Sequence, residues 1–160
     1  MGSTVEEVLD MAALIERKVA SIYRTFEKRF GSDAMAGYLW ESLANEEDGH
    51  AEFLEAQKKL VKTSGRAVAL INISALKESL EAVEKYEKLI LKNGLTNKDA
   101  VRIALEIENS VLEKNYNILV GTDSPALMKI FKQFSDTTAH TERLRVAAEK
   151  LGVELTEGLD

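Results

Sequence analysis

The chain has 160 residues, a formal net charge of −6 at pH 7 and no cysteine. Its length is that of one ordinary domain, and the absence of cysteine excludes disulfides, iron–sulfur clusters and cysteine-type zinc sites. No run of five basic residues and no apolar run of about 20 residues occurs, so we expect no nucleic-acid partner and no membrane span. The amino terminus lacks a signal-peptide pattern, which makes the cytoplasm the expected location.

The first predicted elements are two long helices joined by a short turn. One proline and nine glycines in the whole chain leave room for long helices. A capping-box pattern from Thr4 to Glu7 opens the first helix, whose apolar residues recur in alternating steps of three and four. Gly31 indicates the end of this helix and Asp33 the N-cap of the next, which is predicted to end near Thr63.

The second half of the chain predicts a connector and another pair of helices. Residues 66–73 read as irregular, and a shorter helix is predicted at about 75–92, ended by an Asn-Gly pair. A further long helix begins after a cap at Thr96 or Asn97. The turn 121–125 has proline at the first position of the last long helix.

Together these elements predict an all-α fold. We expect an antiparallel four-helix bundle made of two helical hairpins, 4–62 and 97–151, with a long crossover that contains an additional helix. The bundle is predicted to be one domain over residues 4–151, followed by a C-terminal tail at 152–160.

Polar residues occupy several positions where the helical period calls for an apolar side chain. A single glutamate or histidine there is often an ordinary paired core residue. Here six such positions occur on the four long helices, and they include both histidines of the chain. They are Glu16, Glu47, His50, Glu108, Thr137 and His140.

These polar positions are level with one another if each hairpin is antiparallel. Glu16 and Glu47 are equidistant from the turn after Gly31, and Glu108 and Thr137 are equidistant from the second turn. In each hairpin a histidine follows three residues later on the second helix, on the same helix face. The sequence therefore predicts one polar layer inside the bundle.

Three carboxylates buried in one layer would repel each other and lose their hydration. Such a cluster persists only if cations neutralise it or if its members take up protons. Two divalent metal ions would neutralise it, and oxygen and imidazole ligands suit iron or manganese, with zinc possible. The alternative is a metal-free polar core that shares protons.

The same residues resemble those of the ferritin-like diiron-carboxylate proteins. The shared pattern places single glutamates on the first and third long helices and histidines, one of them in a Glu-x-x-His step, on the second and fourth. It consists of Glu16, Glu47-x-x-His50, Glu108 and His140.

Within that group the chain most resembles the rubrerythrins, without a rubredoxin domain. The segment 43–54, Leu-Ala-Asn-Glu-Glu-Asp-Gly-His-Ala-Glu-Phe-Leu, and Glu16 followed by Tyr23 carry this resemblance, which extends over about residues 5–150.

The resemblance implies a role for each predicted ligand. Glu16 and His50 would hold one metal ion, Glu108 and His140 the other, and Glu47 would bridge the two. Iron is the expected metal.

The chain departs from the family at Thr137, where the resemblance calls for a second bridging glutamate. We therefore expect weaker binding of the metal between Glu108 and His140, or a hydroxide or exogenous anion in place of the missing carboxylate. Asp136 is a possible substitute, although an offset of one residue rotates it by about 100° around the helix.

Four further residues are candidates for supporting roles. Glu46 and Asp136 each lie four residues before a histidine, from where each could accept the ring N–H of the histidine on the facing helix. Each could equally be a solvated surface acid. Tyr23 could supply a hydrogen bond or an electron near the site, or be an ordinary core tyrosine. Arg143 could neutralise an acid or lie on a solvated face.

The resemblance implies an oxidoreductase that reacts with hydrogen peroxide or oxygen. Because the chain has no cysteine, we expect an external electron donor, rubredoxin-like or of another kind. The alternatives are a ferritin-like ferroxidase or iron-sequestering protein, and a non-enzymatic metal-binding bundle with a degenerate site. Long helices and a helical crossover favour a homodimer.

Overall fold

The computed structural model describes residues 3–63, 73–112, 125, 129–130, 132 and 138–154. Every regular element in these ranges is helical, which confirms the predicted all-α class. The elements are α1 (Val5–Phe30), α2 (Ala34–Thr63), α3 (Ser74–Leu89), α4 (Asn97–Glu106), a π-helical segment (Ile107–Leu112) and α5 (Thr138–Leu151). None of the described helices is long and apolar enough to cross a membrane.

The predicted signals at the ends of α1 and α2 are present. Thr4 and Glu7 form the capping box, with backbone-to-side-chain distances of 2.7 and 3.1 Å. Asp33 Oδ1 accepts a hydrogen bond from the backbone N–H of Ala36 at 2.9 Å, as an N-cap does. Gly31 is right-handed, with φ −74°, and a Cβ there would meet the carbonyl oxygen of Glu27. The turn therefore needs glycine for space rather than for a positive φ.

Helices α1 and α2 pack against each other in antiparallel orientation. Asp10 near the start of α1 pairs with Lys58 near the end of α2 at 2.6 Å, and Arg24 pairs with Asp48 at 2.6 Å. Exposed ion pairs of this kind contribute little stability, but they identify the register. Buried apolar side chains such as Val19 fill the space inside the bundle.

The connector helix α3 packs against α1, and Lys18 of α1 bonds Glu87 of α3 at 2.9 Å. The predicted end of this helix at residue 92 is wrong by three residues, because α3 ends at Leu89 and a turn follows. Gly94 in that turn has φ +86°, a conformation that favours glycine.

The ends of the second pair of helices are also capped. Thr96 and Asp99 form a capping box at the start of α4, which decides between the two predicted caps. At the end of α5, the N–H of Val153 donates to Ala148 O at 2.9 Å and Gly152 has φ +66°. These are the features of a Schellman motif.

The structure differs from the predicted third long helix after Glu106. The sequence predicts a long helix that continues from its cap at Thr96 or Asn97, but residues 107–112 are π-helical. In a π-helical turn the hydrogen bonds join residues i and i+5, so the turn contains one additional residue. This changes which residues of the segment share a helix face. Residues 113–124, which include most of the second predicted turn at 121–125, lie outside the described residues. Pro125 is helical, as predicted.

Candidate metal centre

The structure brings the five predicted ligands together inside the bundle. Four are almost completely buried, with relative exposures of 0 to 3%, and the side chain of His50 is 32% exposed. They come from α1, α2, the π-helical segment and α5. They are Glu16, Glu47, His50, Glu108 and His140.

Glu47 lies between the two histidines and presents one oxygen to each. Its Oε2 is 3.0 Å from His50 Nδ1, and its Oε1 is 3.0 Å from His140 Nδ1. The two imidazole rings are nearly parallel, at 20°, with their centroids 5.6 Å apart. Both histidines therefore direct Nδ1 toward the same carboxylate.

The other two glutamates flank this arrangement. Glu16 Oε2 is 3.9 Å from His50 Nδ1, and Glu108 Oε2 is 3.7 Å from His140 Nδ1. Two groups result, each with one possible ligand atom per residue within 4.8 Å of the others. We call Glu16, Glu47 and His50 the hairpin triad, and Glu47, Glu108 and His140 the buried triad.

Local structure explains why the triads form where they do. A spacing of three residues puts Glu47 and His50 on one face of α2. The short turn of the α1–α2 hairpin places Glu16 beside Glu47. Glu108 is the second residue of the π-helical segment. Single-turn π-helical insertions occur frequently at functional sites.

Burial and mutual repulsion change the protonation of the acids. Burial, and then the neighbouring charge of Glu47, raises the pKa of Glu16 from 4.5 to about 8. For Glu47, burial and the charge of Glu108 act to raise the pKa, but its contacts with Glu16, His140 and His50 outweigh both and lower it.

The histidines shift toward the charged form. Burial acts to lower the pKa of His50, but its contacts with Glu16 and Glu47 raise it to about 10. Burial acts in the same direction on His140, and contacts with Glu108 and Glu47 raise its pKa to about 11. Without metal, protons on these groups therefore supply the positive charge that the buried carboxylates require.

Several atoms that face the centre of the site are buried without a hydrogen bond. Within the described part of the chain, Glu47 Oε1, Glu108 Oε2 and His140 Nδ1 are such atoms. His140 Nδ1 lies 3.0 Å from Glu47 Oε1 and 3.7 Å from Glu108 Oε2, but neither contact has the geometry of a hydrogen bond. Buried polar atoms are normally hydrogen-bonded, so exceptions indicate a missing ion or a functional role. Two carboxylate oxygens and one imidazole nitrogen are ligands suited to iron, manganese or zinc. The residues present therefore fit a metal ion.

An outer set of contacts fixes the far side of His140. Its Nε2 lies 2.5 Å from Glu46 Oε2, which is one of the two roles that the sequence leaves open for this glutamate. Arg143 donates to the same oxygen at 2.7 Å and to Ser42 Oγ at 3.3 Å. Burial acts to raise the pKa of Glu46, but Arg143 and His140 lower it. Glu46 is thus held as an anion behind the histidine.

Tyr23 contacts the site directly. Its hydroxyl donates to Glu108 Oε1 at 2.7 Å, and its ring centroid lies 5.8 Å from that of Trp40. Burial, followed by the charge of Glu108, raises the pKa of Tyr23 well above its ordinary value. The phenol therefore stays neutral and acts as a donor. Trp40 is buried and donates to Asn97 Oδ1 at 3.1 Å.

The sequence does not settle the role of every residue around the site. The predicted substitute ligand Asp136 and the departure at Thr137 lie outside the described residues. For Arg143 the sequence leaves two interpretations open, pairing with an acid or a solvated position, and the structure has it paired with Glu46. The spacing of three residues from His140 is the feature of the sequence that indicates this pairing. Ser42 was missed, because nothing in the pattern marks it.

Comparisons of the chain with known protein families, with curated proteins and with solved structures find no match. The resemblance to the rubrerythrins therefore depends on the pattern of site residues.

Proposed function

We propose that this chain is a dinuclear metal protein with a ferritin-like arrangement of helices, and that its function is a rubrerythrin-like redox reaction at two iron ions. One observation supports this proposal above the others. A single buried glutamate, Glu47, presents one oxygen to each of two histidines, and a further buried glutamate accompanies each histidine. Two metal positions that share a bridging carboxylate require this set of groups.

Each residue has a role in the proposed site. Glu16 and His50 would hold one ion, Glu108 and His140 would hold the other, and Glu47 would contribute to both positions. The hydrogen bond from Tyr23 occupies Glu108 Oε1 and leaves Oε2 directed toward His140. Glu46 accepts the Nε2–H of His140, so that Nδ1 is the nitrogen available to a metal.

Bound ferrous iron would supply the electrons for reducing hydrogen peroxide or oxygen. Reduction of one peroxide to two waters consumes two electrons and two protons, and an external one-electron donor has to return the electrons. The exposed edge of His50 marks the side of the site nearest to solvent, because the other predicted ligands are buried. A small oxidant would approach from this side.

A metal-free core is the second candidate, and the raised pKa values of both histidines favour it. In that reading the imidazolium groups of His50 and His140 neutralise Glu47 and Glu108 permanently. The two candidates make opposite predictions for iron. In a metal-free core, added iron must displace protons from groups that already satisfy each other, and it would be lost on desalting.

Titration with peroxide under anaerobic conditions tests the proposed reaction. Protein loaded with ferrous iron should consume about one peroxide per iron pair, with a change in absorption, and repeated turnover should occur with a reductant present. As a control, Glu41→Gln alters an exposed glutamate on the same helix as Glu47 and should consume peroxide as the unaltered protein does. Iron that stays bound but never consumes peroxide would leave a metal-binding protein without this activity. Failure to retain iron would favour the metal-free core.

A further inference from the structure

A groove of about 620 Å³ separates the first turns of α2 from the last turns of α5. Met35, Tyr38 and Leu39 border it on α2, and Val146 and Leu151 border it on α5. The groove opens on the surface and contains none of the predicted metal ligands. It adjoins the outer contacts of His140, because Ser42 and Arg143 also line it.

Large apolar side chains remain exposed around this groove. Met35 is 62% exposed, Tyr38 is 73% exposed and Val146 is 41% exposed, and these are three of the seven exposed large hydrophobic residues in the described ranges. A contiguous exposed apolar patch of this kind marks an interaction site more often than an accident of composition.

The start of α2 also lacks charge. Residues 34–40, Ala-Met-Ala-Gly-Tyr-Leu-Trp, contain no charged side chain, although 30% of the chain is charged. The centres of protein interfaces are depleted in charged residues and enriched in tyrosine and methionine. This part of α2 therefore has the composition of an interface centre.

The exposed face of α5 is arranged symmetrically. Glu142, Val146 and Lys150 are all exposed and follow each other at intervals of four residues, so they share one helix face. The acid and the base lie at equal distances on either side of Val146 and are about 12 Å apart along the helix. Two antiparallel copies of α5 that meet at Val146 would place Glu142 of each beside Lys150 of the other.

We propose that this surface, the α2–α5 face, is where two copies of the chain associate around a two-fold axis at Val146. An isologous contact must be complementary to itself. The α2–α5 face meets this requirement in charge, through Glu142 and Lys150. It also meets it in shape, because the groove and the projecting Tyr38 lie on the same face. The proposal gives the homodimer predicted from the sequence a defined surface, and it does not depend on metal binding.

The mass of the full chain in solution tests this proposal, measured by sedimentation on protein purified with a chelator. The expected mass of the wild type is twice the 17.8 kDa of one chain. Val146→Glu would place two carboxylates against each other at the axis and should weaken dimerisation by about tenfold or more. Leu14→Glu is the matched control, because Leu14 is similarly exposed, at 45%, on a different helix. It should leave the dimer unchanged, and circular dichroism should show unaltered helicity for both variants.

Charge exchange tests the antiparallel pairing of α5. Glu142→Lys and Lys150→Glu should each weaken the dimer, because like charges would then face each other. The double variant should restore the affinity, which an effect on folding alone would not do. A single-chain mass at every attainable concentration overturns the proposal, as does a dimer that Val146→Glu leaves intact. A double variant no tighter than the single ones contradicts the two-fold pairing.

Discussion

The two halves of the candidate site are built in different ways. The hairpin triad lies on α1 and α2, two regular helices joined by a short turn. The buried triad takes its residues from α2, from a π-helical segment and from α5, which are distant in sequence. The first half needs one hairpin to form, whereas the second needs the packing of separate helices.

The surroundings of the two histidines differ as well. The side chain of His50 is 32% exposed, and that of His140 is 4% exposed. Behind His140, Glu46 and Arg143 form a hydrogen-bonded chain that fixes the ring. The hairpin triad therefore reaches solvent only through His50, whereas the buried triad is held in place by outer contacts. Glu47 is the one group that belongs to both.

Removal of the shared carboxylate should have the largest effect. Glu47→Ala is expected to abolish binding at both metal positions, because Oε1 faces one histidine and Oε2 the other. Metal content after iron loading and desalting measures this, with Glu41→Ala as the control on an exposed face of the same helix. A Glu47→Ala protein that still held two tightly bound ions would show that the triads are independent.

Restoring a carboxylate at residue 137 should affect the buried triad alone. Thr137→Glu is expected to slow the loss of the ion held by Glu108 and His140, since an added negative charge and ligand would act there. The rate of metal removal by a chelator should then show one slower phase and one unchanged phase. Unchanged metal content and retention would place residue 137 away from the site.

The outer contacts of His140 offer a smaller perturbation of the same half. Glu46→Ala should reduce metal affinity at the buried triad by about 10–100-fold, the usual cost of losing a carboxylate behind a metal-bound histidine. Glu46→Gln, which keeps an oxygen acceptor, should lose less. Competition with chelators of graded affinity measures both. Equal losses at both positions would contradict the division between the two halves.

The smallest expected effect is on the pH dependence of the metal-free protein. Folding raises the pKa of Glu16 from 4.5 to about 8, and those of His50 and His140 from 6.5 to about 10 and about 11. Groups whose pKa is raised by folding contribute stability that is fully present below the ordinary value and is lost as pH rises through the folded value. The melting temperature should therefore fall as pH rises from 4.5 to about 11.

Glu16→Gln separates the two contributions to this slope. Glutamine does not titrate, so the variant should lose the part of the decline that Glu16 causes between pH 4.5 and about 8. It should also lose part of the His50 contribution, because Glu16 helps to raise the pKa of His50, and it should keep the His140 contribution. Thermal melts followed by circular dichroism measure both proteins. A wild-type melting temperature that stays constant or rises over this range would contradict the proton-loaded description of the metal-free site.

The hairpin half of the site is also the half that the sequence predicts in most detail. Three local signals fix the register of α1 and α2. They are the capping box at Thr4, the short turn between the two helices and the N-cap at Asp33. Counting from the turn therefore places Glu16 beside Glu47. The step from Glu47 to His50 follows from the helical period alone. Local signals suffice because both helices are regular.

The buried half depends on structure that local signals do not encode. The π-helical segment begins at residue 107, and no glycine or proline marks it. Glu108 still reaches the site because it lies only two residues beyond the end of α4. The outer position of Arg143 and the exposure of Tyr38 likewise depend on how α2 and α5 pack. The sequence shows that residues 34–40 are uncharged, but not that they face solvent.

We propose that the buried carboxylates hold two metal ions, with Glu47 contributing to both positions. The iron content of the protein after anaerobic loading with ferrous iron and removal of unbound metal measures this binding. We predict about two iron ions per chain, because the two triads provide two positions that share Glu47. Essentially no retained transition metal would rule out both metal positions and leave an ion-paired polar core in their place.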